Sequence, residues 1–157
     1  MGAVVASGEA RKIARYAGFW KRFAAYIIDS IAAGIVTYLI SYVGVLLIGL
    51  PSHEQFEGLA LDIAVSWIFA SWLVIPWLYW AIMESFSKQA TLGKRAVGIL
   101  VTDIEGRRIS FGRATARYWA KIISSLTLLI GFIIAGFTSR KQALHDIISG
   151  CLVVVKQ

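Results

Sequence analysis

The chain has 157 residues, the length of a single domain. Hydrophobic residues make up 58% and charged residues 16%, a balance that excludes an ordinary soluble domain. The net charge of +7 belongs with anionic headgroups and inward-facing loops. No aromatic-interleaved basic groove points to nucleic acid. The lone Cys151 excludes an intrachain disulfide, and a thiol near an apolar end reads as packing.

Residues 1–15 read as a mobile, basic N-terminus without the features of a signal peptide or a myristoylation site. Tyr16-Ala17-Gly18-Phe19-Trp20-Lys21-Arg22 reads as an interfacial helix start. Its cations meet headgroups, its aromatics meet the acyl boundary, and the charge rule places this end in the cytoplasm. The first transmembrane helix is expected over 19–50, with Asp29 the single charge between Phe23 and Leu50. Within it Ser30, Gly34, Thr37, Ser41 and Gly44 repeat every three or four residues, a seam for close helix packing or the lining of a wet path.

The turn 49–58 lacks Lys and Arg and belongs outside. His53, Glu54 and Glu57 there read as solvated rather than as metal ligands. The second transmembrane helix is expected over 59–85, with Trp67, Trp72, Trp77 and Trp80 towards its interfaces and a kink at Pro76. Residues 87–117 form a cytoplasmic segment. Ala96–Asp103 reads as a strand, Asp103–Gly106 as a turn with a left-handed glycine, and Arg107–Ser110 as a return strand. Ser110 is the expected N-cap of the next helix.

The third apolar run, 118–137, is long enough to cross. A single crossing would put Arg140, Lys141 and Lys156 outside, against the charge rule, and would separate the strand-like Cys151–Val155 from its pairing partner. The reading is therefore a bent or re-entrant helical pair breaking near Gly131. Residues 138–157 follow as a cytoplasmic amphipathic helix ended by Gly150 and a final strand. The fold expected is an all-α membrane protein: two full transmembrane helices, a re-entrant third apolar segment, and a small cytoplasmic β-hairpin joined by the C-terminal strand.

Candidate residues follow from the cost of ionised groups in lipid, about 2.5–3.5 kcal/mol at a helix centre on insertion scales. Arg22 and Asp29 lie two turns apart on one helix face. Glu84, at the inner end of the second helix, is expected to partner Arg22. Arg113, Arg117 and Lys121 form a stripe at i, i+4 and i+8 that either snorkels to headgroups or partners Asp29 or Glu84. Asp146 can pair with Arg22, Arg95, Arg117 or the strand backbone. The ion, proton or structural network is thus Arg22, Asp29, Glu84, Arg117 and Asp146. The headgroup-binding set is Arg15, Lys21, Lys94, Arg95, Arg113 and Lys121. His145 reads as a surface or capping residue. Thr91-Leu92-Gly93-Lys94 lacks the first glycine and the magnesium-binding hydroxyl of a phosphate loop, so no nucleotide is expected. Nor is any cofactor, metal site or catalytic set. An aspartyl dyad of Asp29 and Asp146 fails because the first lies within the apolar run and the second at the surface.

Three stretches together resemble the RDD family of membrane proteins: Phe19-Trp20-Lys21-Arg22 through Asp29, Ala90-Thr91-Leu92-Gly93-Lys94-Arg95 through Ile99, and Leu144-His145-Asp146. The family's arginine and two aspartates map onto Arg22, Asp29 and Asp146, and Leu92 stands where many members have proline. The resemblance implies a non-enzymatic, multi-pass inner-membrane protein. The roles it implies are ion or solute transport, including cation/proton exchange, or assembly with other membrane proteins. Two spans and a re-entrant pair are too few to enclose a pathway alone, so a transporter is expected to be a homo-oligomer.

Overall fold

In the computed structural model the described residues are 3–5, 12–49, 57–126, 134 and 138–156. The elements in order are β1 (Ala3–Val5), β2 (Lys12–Ala14), α1 (Phe19–Ile48), α2 (Glu57–Ser85), α3 (Leu92–Ala96), β3 (Ile99–Asp103), α4 (Phe111–Leu126), α5 (Leu144–Ser149) and β4 (Cys151–Val155). The fold is mainly helical, and its two long apolar helices have mean hydropathies of 2.3 and 1.9. The solvated reading of His53 and Glu54, the break expected near Gly131 and most of the 49–58 turn lie outside the described residues.

The chain divides into two compact units. One, Ser30–Tyr79, is helical in its described part except at Gly49. Here the small-residue seam is the least exposed face of α1: Thr37 is fully buried and Ser41 nearly so. A Cβ on Gly44 would strike the Trp67 indole of α2, so the missing side chain is what lets these helices close. Helix α2 runs unbroken through Pro76.

The other unit holds Met1–Asp29 and Trp80–Gln157. Its sheet pairs β3 with β4 antiparallel, Ile99 opposite Val155 and Asp103 opposite Cys151. The C-terminal strand therefore finds the partner the sequence demanded. The expected return strand, Arg107–Ser110, does not form. The edge of β3 away from β4 is taken at Val101, whose N–H donates to the Gln89 carbonyl (2.8 Å) and whose carbonyl accepts from Gln89 Nε2 (3.1 Å). The turn closes instead on the Asp103 side chain, which accepts from the N–H groups of Glu105 (2.9 Å) and Arg107 (2.8 Å), with Gly106 at φ 83°.

On its outer edge β4 is joined by residues 15–17. Val155 N–H donates to Arg15 O (2.8 Å), and Ala17 N–H to Val153 O (2.9 Å). The expected interfacial helix start is thus extended chain, and helix geometry begins only at Phe19. Part of the expected mobile N-terminus is paired as well, β1 with β2. Ser110 caps α4 as expected, its Oγ accepting from Arg113 N–H (3.3 Å). Helix α5 is shorter than read. Lys141 holds φ at 49° and Gln142 N–H donates to Thr138 Oγ1 (2.7 Å), so the helix starts at Leu144 and ends at the left-handed Gly150.

Candidate functional site

Asp146 is the centre of the polar network. It is the third residue of α5 and sits fully buried. Its Oδ1 accepts from Arg117 Nε (2.9 Å) and Nη2 (2.6 Å), while Oδ2 accepts from Arg22 Nη1 and from Ala143 N–H (3.2 Å). Burial alone raises a carboxyl, yet Arg117 and Arg22 hold Asp146 well below the usual carboxylate range. Arg22 also donates from Nε to Ala17 O (3.1 Å) and from Nη2 to Lys141 O (2.7 Å). One guanidinium thus ties the start of α1 to the strand-like entry segment and to the approach of α5.

Arg117 carries the network across to α2. Its Nη1 donates to Glu84 Oε2 at 2.6 Å. Glu84 Oε1 takes Lys94 of α3, with Lys121 Nζ at 3.6 Å. Glu84 does not fill the role of Arg22's partner. The stripe on α4 turns two cations, Arg117 and Lys121, inward to Glu84, while Arg113 turns out towards Asp103 (3.7 Å). Lys121 also lies over the Trp80 ring, 5.2 Å from its centroid.

Lys94 corrects the headgroup assignment. It is buried against Glu84, whereas its neighbour Arg95 is exposed. Burial pushes the Lys94 ammonium down to about 7. Arg117 and Lys121 add to that push, and Glu84 opposes it. Lys121, paired inward, likewise leaves the headgroup set. Arg15, Lys21, Arg95 and Arg113 remain exposed.

Asp29 serves a different contact. Its Oδ1 accepts from Gly93 N–H (2.7 Å) and its Oδ2 from Thr91 Oγ1. A Cβ on Gly93 would run into the Ala25 carbonyl and lie 2.9 Å from the Asp29 carboxyl carbon. Only glycine lets α3 seat on α1 here. The Thr91–Lys94 motif is therefore a docking turn: threonine and glycine dock on Asp29, and lysine docks on Glu84. Arg22 and Asp29 share a face of α1, but each reaches a different segment of the chain.

A serine, a histidine and an aspartate also fall in line, which the sequence did not signal. Ser124 Oγ is 3.4 Å from His145 Nδ1, and His145 Nε2 is 3.4 Å from Asp146 Oδ1. The order is that of a hydrolytic triad. However, Ser124 is fully buried, its hydroxyl donates to Ala120 O (3.1 Å), and two arginines hold the aspartate. The serine is closed off from solvent, and its 3.4 Å contact with His145 is long for proton transfer. Burial pushes the His145 imidazole down to about 3, with Arg117, Lys121 and Arg22 adding to the push and Asp146 opposing it.

Two apolar helices joined at their polar ends by such a network define a small membrane protein. The chain belongs to the RDD family, whose model matches residues 16–150. It is similar to "Uncharacterized protein YxaI" of Bacillus subtilis (strain 168), 34% identical over 148 residues, covering 89% of this chain and 97% of the relative. It is also similar to "Uncharacterized membrane protein YteJ" of the same organism, 28% identical over 146 residues, covering 88% of this chain and 80% of the relative. No solved structure matches.

Proposed function

We propose that the chain is a non-catalytic scaffold, an assembly or adaptor subunit of a membrane complex or homo-oligomer, in which the family's charged residues are a structural latch. The observation that carries this reading is the occupancy of the three carboxylates. Glu84 and Asp146 each accept from donors on two other segments of the chain, and Asp29 accepts from two donors of the Thr91–Lys94 turn. A carrier carboxylate must exchange its partners for ion, proton or water. These are instead used to seat α3, α4 and α5 on the ends of α1 and α2. The charge asymmetry of the loops supports a multi-pass topology with both ends in the cytoplasm. The pairing of residues 15–17 with β4 supports placing both ends on one side.

One observation favours a second reading, cation/proton exchange: Lys94, near neutral in proton affinity, faces Glu84. Reconstituted protein separates the two. Vesicles showing no sodium- or potassium-driven proton movement, with the oligomer intact, are the expected result. Flux in the wild type that is lost in a folded Lys94→Met protein establishes exchange and overturns the scaffold reading.

A further inference from the structure

Helix α4 has its polarity reversed. Going around it at about 100° per residue, its inward arc carries Arg117, Lys121 and Ser124, held by Glu84, Asp146 and the Ala120 carbonyl. The opposite arc, about 140° wide at that spacing, holds Phe111, Gly112, Thr115, Ala116, Trp119, Ile122 and Ile123. Of these Phe111 is 44% exposed, Trp119 39%, Ile122 43% and Ile123 51%. A helix that turns its ions inward and its large apolar side chains outward is matched to an apolar solvent.

Its position is fixed by Arg117, which binds Glu84 one residue before the end of α2, and Asp146, which in turn holds Arg22 near the start of α1. The inward polar arc runs from Arg117 to Ser124. If α4 stood along the membrane normal, Ser124 would lie about 10 Å deeper than Arg117. Yet Lys121, one turn beyond Arg117, still reaches the same Glu84. The exposed cations Arg108 and Arg113 lie at or before its first turn.

We propose that α4 lies in the plane of the membrane, its Phe111–Ile123 arc sunk in the acyl boundary of the leaflet where α1 begins and α2 ends, with Arg108 and Arg113 on anionic headgroups. The first part of the 118–137 run is then a surface helix rather than the descending limb of a re-entrant pair. This does not depend on whether the protein is a scaffold or a carrier.

The test places a spin label, in the full chain, at Gly112→Cys, Ala116→Cys and Ile123→Cys, three positions on the outward arc. Cys151 is fully buried, and mock labelling of the wild type checks that it stays unlabelled. In vesicles containing anionic phospholipid, relative collision with oxygen and with a water-soluble nickel chelate gives the depth of each label. Equal, shallow depths in the acyl boundary are expected. A depth rising steadily from 112 to 123, by up to about 16 Å for a helix along the normal, overturns the proposal in favour of an inserting helix. Water exposure at all three overturns it in favour of a docked protein partner. Should one variant fail to fold, Thr115→Cys supplies a further point on the same arc.

Discussion

Gly93 and Asp29 are the most closely fitted pair of residues. A methyl at 93 meets the Ala25 carbonyl, so Gly93→Ala must move α3 off α1. The expected outcome is a loss of about 1–3 kcal/mol or failure to fold, read by thermal unfolding in detergent. Asp29 behaves differently under two substitutions. In Asp29→Asn the amide oxygen keeps the Gly93 N–H and the NH2 can donate to Thr91 Oγ1, so near wild-type stability is expected. Asp29→Ala strands both donors at about 1–3 kcal/mol each. An Asn variant as damaged as the Ala variant would show that the charge, not the hydrogen bonding, is what the site needs. Both residues stand out in the sequence, but their contact does not. Sixty-four positions separate them, and no local periodicity links them.

At the scale of elements, α5 is held by ions rather than by apolar area. Its Asp146 neutralises Arg22 and Arg117 together, and removing one member of a buried pair costs about 3–5 kcal/mol because the partner stays buried. Asp146→Asn is expected to release α5 and β4, detectable as fast hydrogen exchange from 144 to 155 while α2 stays protected. The same element carries an acid sensitivity. His145 is held near 3 in the folded protein, against about 6.5 when unfolded. Between those values the unfolded chain binds the extra proton, so stability falls as pH drops through that window, by at most about 1.4 kcal/mol per pH unit. Asp146 adds its own loss only below the ordinary carboxylate range. Lys94 adds its own slope at and above pH 7, so the histidine dominates the unfolding midpoints from pH 6 to pH 5, and His145→Gln is expected to flatten them there. An unchanged slope in that variant would remove His145 as the cause. The sequence offered Asp146 a choice of Arg22, Arg95 or Arg117. Arg95 loses because α3 is only five residues long and its seating on Asp29 turns Lys94 inward and Arg95 out.

For the whole molecule, the latch seats three short elements on the ends of two apolar helices. Burial, with Arg117 and Lys121 adding to it, brings the Lys94 ammonium down to about 7, so Lys94 changes charge near neutral pH. Cross-linking in native membranes is expected to capture a second copy or another membrane protein. A monomer with no cross-link, together with proton flux in vesicles, would reverse the functional reading.

The sequence by itself determined the two long apolar helices and their ends, the Ser110 cap, the left-handed glycines at 106 and 150 and the identity of the charged residues. These rest on hydrophobic run length and on backbone chemistry local to a few residues. Only the tertiary structure decided that β3 takes β4 rather than residues 107–110, that Glu84 takes Lys94 and Arg117, and that α4 turns its ions inward. Those choices weigh partners far apart in the chain: backbone pairing and apolar burial settle the strand, and the opposite charge within reach of each buried ion settles the other two.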